Sequence, residues 1–472
     1  MQTTTLQELA TAIHGTIVDS GGHNASFGGI VTDSRKIRAG DVFWALQGAL
    51  QNGHRYVPQA VDRGAVACVV AEAERDTTQG PRVLVADTSQ ALGQFSAWHR
   101  QRQEALVIGV TGTVGKTTTR EMIHHVLSGS FRGIQSQKNY NNHVGLPLSL
   151  LQITPADEFA VVELGAASVG EISQLADWAQ LEAGVVTRIS EAHLEGFGQI
   201  EDIARAKGEL VDAVPAGGFV VLNADDAWTR KLADRAAAKV VLVGESLESD
   251  VRATAVVVEN SRLTFQVGVQ SYVLNVVGRH HLGSALSAIA VAREIGISEQ
   301  DIAYRLSTFS SVAGRCRRLE IGAWTIIDDA YNSSPSSMRA ACQVLADWQG
   351  SARRIMVCGD MLELGASSAR LHSEMGRQVA EADVDHLLVM GDWSHEVIHS
   401  AREGGMQGYQ LAECGDLESA LVTLDCWLEP GDVVLIKGSR ATGMDRIVER
   451  LKKKIGESAD QTMAGAMVPT RI

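Results

Sequence analysis

The stretch with the clearest chemistry runs from residue 105 to 127, Ala-Leu-Val-Ile-Gly-Val-Thr-Gly-Thr-Val-Gly-Lys-Thr-Thr-Thr-Arg-Glu-Met-Ile-His-His-Val-Leu. Its apolar start, Ala105 to Val110, predicts a buried parallel strand. A loop with Gly112 and Gly115 follows, then Lys116, Thr117 and an amphipathic helix. That order suits a nucleoside triphosphate. Glycines let backbone N–H groups wrap phosphates, a helix N-terminus adds partial positive charge, and Lys116 reaches the terminal phosphates. Thr117 is spaced to put a hydroxyl on magnesium. Val110 stands where the strict G-x-x-x-x-G-K-[ST] pattern has its first glycine. A chance Gly-Lys-Thr in an ordinary turn is the bland alternative. The strand before it, the helix after it and the second glycine argue against that.

Two later apolar runs end in residues that bind metals. Phe159 to Val162 leads into Glu163, and Gly184 to Ser190 leads to the loop with His193. In open α/β sheets ligands collect beyond the carboxyl ends of strands. Glu163 and His193 would then share a crevice with the phosphate loop, as magnesium ligands directly or through water. Singly, each reads as an ordinary loop residue. The helix after His193 carries Ile203, Ala206, Leu210, Val211 and Val214 as one apolar stripe, and Lys207 falls inside it. Lysine in such a stripe usually snorkels, with its ammonium in water. Here the stripe continues on both sides of it.

These residues need scaffolds, and the chain divides into three α/β units plus a tail. Residues 1–95 alternate short strands with glycine turns, a helical stretch at Val57–Arg63 and a strand from Val66. Asp33, Ser34 and Arg35 fall in a turn there, which by itself reads as solvated surface. Residues 96–312 hold the phosphate loop on a doubly wound parallel sheet. Their β-rich end spans 251 to 277, before an Ala-rich helix from Leu282 to about Ile295. Ser310 to Gly314 reads as a small-residue linker. Residues 313–456 alternate strands (Trp324–Ile327, Arg354–Cys358, His386–Met390, Asp432–Ile436) with helices, a largely parallel sheet. The clusters at Asp328-Asp329, Gly359-Asp360 and Lys437–Arg440 all follow strand ends. Residues 457–472 are small and polar without periodicity and are expected to be disordered.

Composition sets the outer limits. The 472 residues suit about three domains. A net charge of −14 with no basic run argues against nucleic acid as a partner, so a polyanion must be met by a local basic pocket. The six cysteines show no metal-type spacing and read as buried thiols in a reducing compartment. The N-terminus lacks the basic start and apolar core of a signal peptide, and no stretch is long and apolar enough to insert in a membrane. A cytoplasmic protein is expected.

Several blocks in one order resemble the Mur ligases, over nearly the whole chain to about residue 455. Thr111-Gly-Thr-Val-Gly-Lys-Thr-Thr-Thr-Arg-Glu is similar to that family's phosphate loop, and Asn139-Tyr-Asn-Asn-His-Val-Gly-Leu-Pro-Leu-Ser and Glu163-Leu-Gly-Ala to its next blocks. Ala192-His-Leu-Glu-Gly-Phe-Gly with Ala206-Lys-Gly-Glu resembles its magnesium region. Asp328-Asp-Ala-Tyr-Asn and Gly359-Asp-Met-Leu-Glu-Leu-Gly resemble the members that join D-alanyl-D-alanine to UDP-N-acetylmuramoyl-tripeptide. The Asp-Asn-Pro-Arg signature of the diaminopimelate-adding members is absent.

The resemblance implies a small UDP-substrate domain, a central P-loop ATPase domain and a C-terminal Rossmann-like domain. It implies ATP and Mg2+ as cofactors and an acyl-phosphate route to the amide. Nucleotide contacts would come from Gly112, Thr113, Val114, Gly115, Lys116, Thr117, Thr118 and Asn142. Arg315 would meet the phosphates and Asp329 the ribose. Thr117, Glu163, His193 and Lys207 would hold metal, with Lys116, His193 and Lys207 catalytic. Ser34 and Arg35 would bind the UDP substrate, and Tyr331 and Asn332 would line the substrate pocket. A monomer is expected. The family carries a carbamylated lysine at the position matching Lys207. The physics agrees, because burial and a nearby metal both disfavour the ammonium, and a neutral amine reacts with carbon dioxide. The chain departs from the family pattern at His281 and Ser284, where two Asn are usual, at Ser334, where another is usual, and at Arg120, usually Lys.

Two other readings compete. A folylpolyglutamate-type ligase would share the phosphate loop and acyl-phosphate route, but the UDP-type first domain and the Asp-Met-Leu-Glu-Leu-Gly block speak against it. A non-catalytic nucleotide-binding relative would rest on the departures alone, against the intact Lys116, Thr117, Glu163, His193 and Lys207 set.

Overall fold

The computed structural model describes residues 3–18, 24–48, 51–75, 80–192, 194–350 and 352–454. His193 and the 457–472 tail lie outside the described residues. Three main sheets organise the chain, all mostly parallel. Among the described residues no helix is long and apolar enough to cross a membrane.

The central sheet has nine strands. From one edge the order is Gln270–Leu274, Arg262–Val267, Val251–Glu259, Lys239–Gly244, Phe219–Asn223, Ala183–Val186, Leu106–Thr111, Phe159–Glu163 and Gly133–Gln135. Only the hairpin strands at 251–274 pair antiparallel. The inner strands Leu106–Thr111, Phe159–Glu163 and Ala183–Val186 are buried on both sides because helices cover both faces. Ile108 and Val110 face the helices Lys116–Leu127 and Leu282–Glu294. Val107, one residue before Ile108, faces the helices Glu171–Ala179 and Ile200–Ala213. Strand Leu106–Thr111 lies between Ala183–Val186 and Phe159–Glu163, so all three carboxyl ends open on one crevice.

The C-terminal sheet has six strands, ordered Arg317–Ile321, Trp324–Asp329, Val433–Lys437, Arg354–Gly359, His386–Met390 and Leu411–Cys414, antiparallel only at the first pair. Its carboxyl ends face back toward the central crevice. The two edge strands, Arg317–Ile321 and Leu411–Cys414, are absent from the sequence expectation. The first exposes three of its five side chains and so lacks an apolar run.

The N-terminal sheet has five strands, and its helix Thr88–Arg100 leads straight into the central unit. That helix packs on both units. Phe95 and Leu92 sit in the first core, while the Gly93 face lies flat on Trp178. Arg100, buried at the end of the helix, donates to the carbonyls of Ala179, Gln180 and Gln103. Five cysteines are buried as expected; Cys426, on the solvent side of the helix Leu417–Trp427, is exposed.

Candidate active site

The phosphate loop is held open by its glycines and by the neighbouring strand. Gly112 has φ 143° and Gly115 φ 84°, both favouring glycine. A Cβ on Gly112 would sit 2.1 Å from the Thr187 hydroxyl oxygen. The loop is sewn to residues 187–190. Thr113 N–H donates to the Arg188 carbonyl at 2.7 Å, and the Thr187 hydroxyl donates to the Val114 carbonyl at 2.6 Å. Val110, at the missing glycine, is simply a buried strand residue. Lys116 is half-buried, and its Nζ donates to the carbonyls of Gly112 at 2.8 Å and Thr113 at 3.0 Å. Its desolvated place lowers its pKa; Glu163 opposes that and Arg315 adds to it.

Beside the helix start sits Glu163, 2% exposed. Its Oε2 accepts from the Thr117 hydroxyl at 2.9 Å and its Oε1 from Asn141 Nδ2 at 2.8 Å. Arg120 lies 3.6 Å from Oε2 while its fork also donates to Gln135, Glu121 and the Lys138 carbonyl. So Arg120 ties the phosphate-loop helix to the segment that carries Asn139 and Asn141. Asn142, expected beside the nucleotide, also has a structural role. Its Oδ1 accepts from the N–H groups of Val144 and Gly145, capping the short helix Gly145–Leu150. Asn141 is the neighbour that faces the crevice.

Lys207 does not snorkel. It is 3% exposed, with Nζ 5.5 Å from the Phe197 ring centre and, among the described residues, a single long bond, 3.5 Å, to the Ala166 carbonyl. Burial first, and then repulsion from Lys116, pushes its pKa down to about 7, against the pull of Glu171, Glu209 and Glu163. The helix Ile200–Ala213 is held in place by Glu209, whose two oxygens accept from the N–H groups of Gly170 and Ser173. Among the described residues no three His, Cys, Asp or Glu side chains gather as a metal cluster. The oxygen donors present are the Glu163 carboxylate and the Thr117 hydroxyl, hard ligands of the kind magnesium takes.

A cavity of about 820 Å³ joins this wall to the C-terminal unit. On one side are Thr113, Val114, Gly115, Lys116, Thr117, Thr118, Asn141 and Glu163; on the other are Arg315, Asp329, Tyr331, Asn332, Lys437 and Arg440. The Arg315 guanidinium lies 4.1 Å from the Tyr331 ring centre, and Arg440 5.7 Å from the same ring. Arg188, Arg279 and His280, none singled out from sequence, line the end beyond the loop. The departures have local roles. Ser284 accepts from the Thr119 hydroxyl at 2.9 Å, His281 is buried against His280, and Ser334 caps the helix Pro335–Ala346. Ser34 and Arg35 stand apart from the cavity. Ser34 donates to Gln59 at 2.7 Å, and Arg35 forks onto Asp33, holding that carboxyl at a pKa of about 2. A second, open groove near Glu259–Arg262 and Arg318 contains none of these residues.

Known proteins resemble this chain in sequence and fold. Residues 110–292 match the Mur ligase middle domain, 314–440 the Mur ligase glutamate ligase domain, and 26–100 the Mur ligase family catalytic domain. The UDP-N-acetylmuramoyl-tripeptide--D-alanyl-D-alanine ligase of Escherichia coli (strain K12) is 33% identical over 466 residues, covering 96% of this chain and 99% of that protein. A crystal structure of MurF from Acinetobacter baumannii matches with a TM-score of 0.87 at 30% identity, over 96% of this chain and 99% of the other. MurF ligase from Thermotoga maritima, solved in complex with ADP, matches at 0.81 and 26% identity, over 91% and 98%.

Proposed function

The chain belongs to the Mur ligase family and is a ligase of peptidoglycan precursor synthesis, and from that premise we propose the following site chemistry. ATP drives amide formation between UDP-N-acetylmuramoyl-tripeptide and D-alanyl-D-alanine. The observation that carries this is the two-walled cavity, with a phosphate loop on one wall and Arg315, Asp329, Tyr331 and Asn332 on the other.

A carboxylate is a poor electrophile and its reaction with ATP brings two anions together. The loop N–H groups and Lys116 hold the β- and γ-phosphates, and Lys116 exchanges its two loop carbonyls for phosphate oxygens. The terminal carboxylate oxygen of the tripeptide attacks the γ-phosphorus, and the bond to ADP breaks. The dipeptide amine then attacks the acyl carbon, the tetrahedral adduct loses phosphate, and the nitrogen gives up its proton. Arg315 neutralises the departing phosphates, and Asp329 holds the ribose. Tyr331 and Asn332 face the amine donor, while Ser34 and Arg35 hold the UDP end. Magnesium, when bound, supplies charge neutralisation between the anions. Thr117, Glu163 and a carbamylated Lys207 are the groups suited to hold it. The fit rests on the oriented Glu163 carboxylate and on an amine whose pKa burial lowers to about 7, so that much of it is neutral near neutral pH. A nucleotide-linked substrate and ATP fit a cytoplasmic reaction, and one chain carries both walls of the site, which supports action as a monomer.

Phosphate release is the test, measured with ATP, magnesium and the tripeptide nucleotide, with and without D-alanyl-D-alanine. Turnover should require the dipeptide and yield the amide by mass spectrometry. Phosphate release indifferent to the dipeptide, with no amide formed, would overturn the reading.

A further inference from the structure

Lys437 ends a central strand of the C-terminal sheet and is 1% exposed. So deep a lysine needs a partner. Its Nζ donates to Asp329 Oδ2 at 2.6 Å and to the Asn332 carbonyl at 3.0 Å. The parallel register sets Asp329 directly opposite Lys437, so the pairing is built into the sheet. The other Asp329 oxygen accepts from the Cys316 N–H at 3.1 Å, which anchors the residue after Arg315. Tyr331, between Asp329 and Asn332, donates its N–H to the Gly314 carbonyl and lies under the Arg315 guanidinium. One ammonium therefore holds both ends of the 329–332 turn, and through Asp329 the neighbourhood of Arg315.

We propose that Lys437 is a positioning residue that sets the nucleotide-facing Asp329 and the Asn332 that faces the amine donor together, so that affinity for ATP and for the amine donor rise and fall as one. This rests on the ligase reading above. The physical reason is that a carboxylate in a nearly dry site keeps its orientation only while its counter-charge is fixed. The turn after a strand end has no backbone ladder of its own, and its carbonyl at Asn332 takes its donor from the same nitrogen. A pair serving stability alone would hold the sheet together without any bond to that carbonyl.

The experiment uses the full chain and begins with steady-state ligation by the unaltered enzyme. Failure of that reaction overturns the ligase reading itself and this inference with it. Given turnover, Lys437→Met should raise KM for ATP and for D-alanyl-D-alanine together, by about tenfold or more, since small misplacements of positioning groups have effects of that order. KM for the UDP-linked tripeptide should stay near its original value. Unchanged KM values for ATP and dipeptide in a folded variant, with only the active fraction reduced, would overturn the proposal. Thermal melting reports whether the variant folds. Should it not fold, Lys437→Met combined with Asp329→Asn removes both buried charges. That variant should keep a raised KM for the dipeptide, because Asn332 still lacks its donor. A normal dipeptide KM there would overturn the proposal equally.

Discussion

Two lysines close enough to repel each other have opposite needs. Lys116 lies at the mouth of the phosphate loop, bonded to two of its carbonyls, and can trade them for phosphate oxygens at little cost. Lys207 has no comparable partner among the described residues: one 3.5 Å contact and an aromatic face beneath it. A charged ammonium there loses hydration without regaining hydrogen bonds, which is the reason its pKa falls to about 7. Conversion to a carbamate, as proposed, would replace a desolvated cation with an anion carrying two oxygens. Lys207→Ala should therefore cut turnover by about a hundredfold or more, the scale of losing one preorganised charge contact. Adding acetate or formate should restore part of the rate, because a free carboxylate fits the space the side chain leaves. Rates that stay flat across a titration with either acid would sink the carbamate idea.

At the level of elements, the helix Thr88–Arg100 joins the first two units, and its Gly93 decides how closely. Helix propensity alone says that Gly93→Ala should stabilise by about 1 kcal/mol. The packing says otherwise, since a Cβ there would sit 2.2 Å from two atoms of the Trp178 ring. A buried indole ring has no room to yield, so overpacking wins and the variant should lose about 1–3 kcal/mol in denaturant melts. A rise in stability would show the helix free to shift on Trp178. The same contrast explains what the sequence discloses. The strand, loop and helix around Lys116 are contiguous and periodic, so they are legible locally. The long strands of both parallel sheets were visible because they are apolar on both faces, whereas Arg317–Ile321 is an edge strand with charged side chains outward. Asn141 and Asn142 are adjacent in an aperiodic segment, and only the fold decides that one reaches Glu163 while the other caps a helix. The resemblance supplied family roles there, but spacing had no means to assign them. Lys437 is readable as a strand end; its bond to Asp329, 108 residues earlier, depends on sheet register.

Across the whole molecule the two interfaces differ in kind. The first unit meets the second through the Gly93–Trp178 contact, Leu151 in the first core and the buried Arg100 fork. The C-terminal unit meets the second through polar contacts and through Val277 and Leu194, which pack into its core. Ser190 and Ser336 hydroxyls lie 3.0 Å apart, Glu195 N–H donates to the Glu363 carbonyl at 3.2 Å, and Asn260 exchanges bonds with Gln349. Residues 309–316 between them form no helix or strand, and Gly314 there has φ 71°. An interface with this share of polar contacts permits relative motion. Electrostatics gives the motion a direction. Lys116 and Arg315 line one cavity from opposite units, and Arg315 contributes to lowering the Lys116 pKa, so the two cations repel. A polyphosphate between them turns that repulsion into attraction and favours the closed arrangement. Small-angle scattering should therefore give a smaller radius of gyration with a non-hydrolysable ATP analogue and magnesium than without them. Arg315→Ala, which removes the cation on the moving side, should shrink that difference while leaving the N-terminal and central units unchanged. Superimposable profiles at saturating analogue would show that the C-terminal unit stays fixed, and the cavity would then have to admit its ligands without closure.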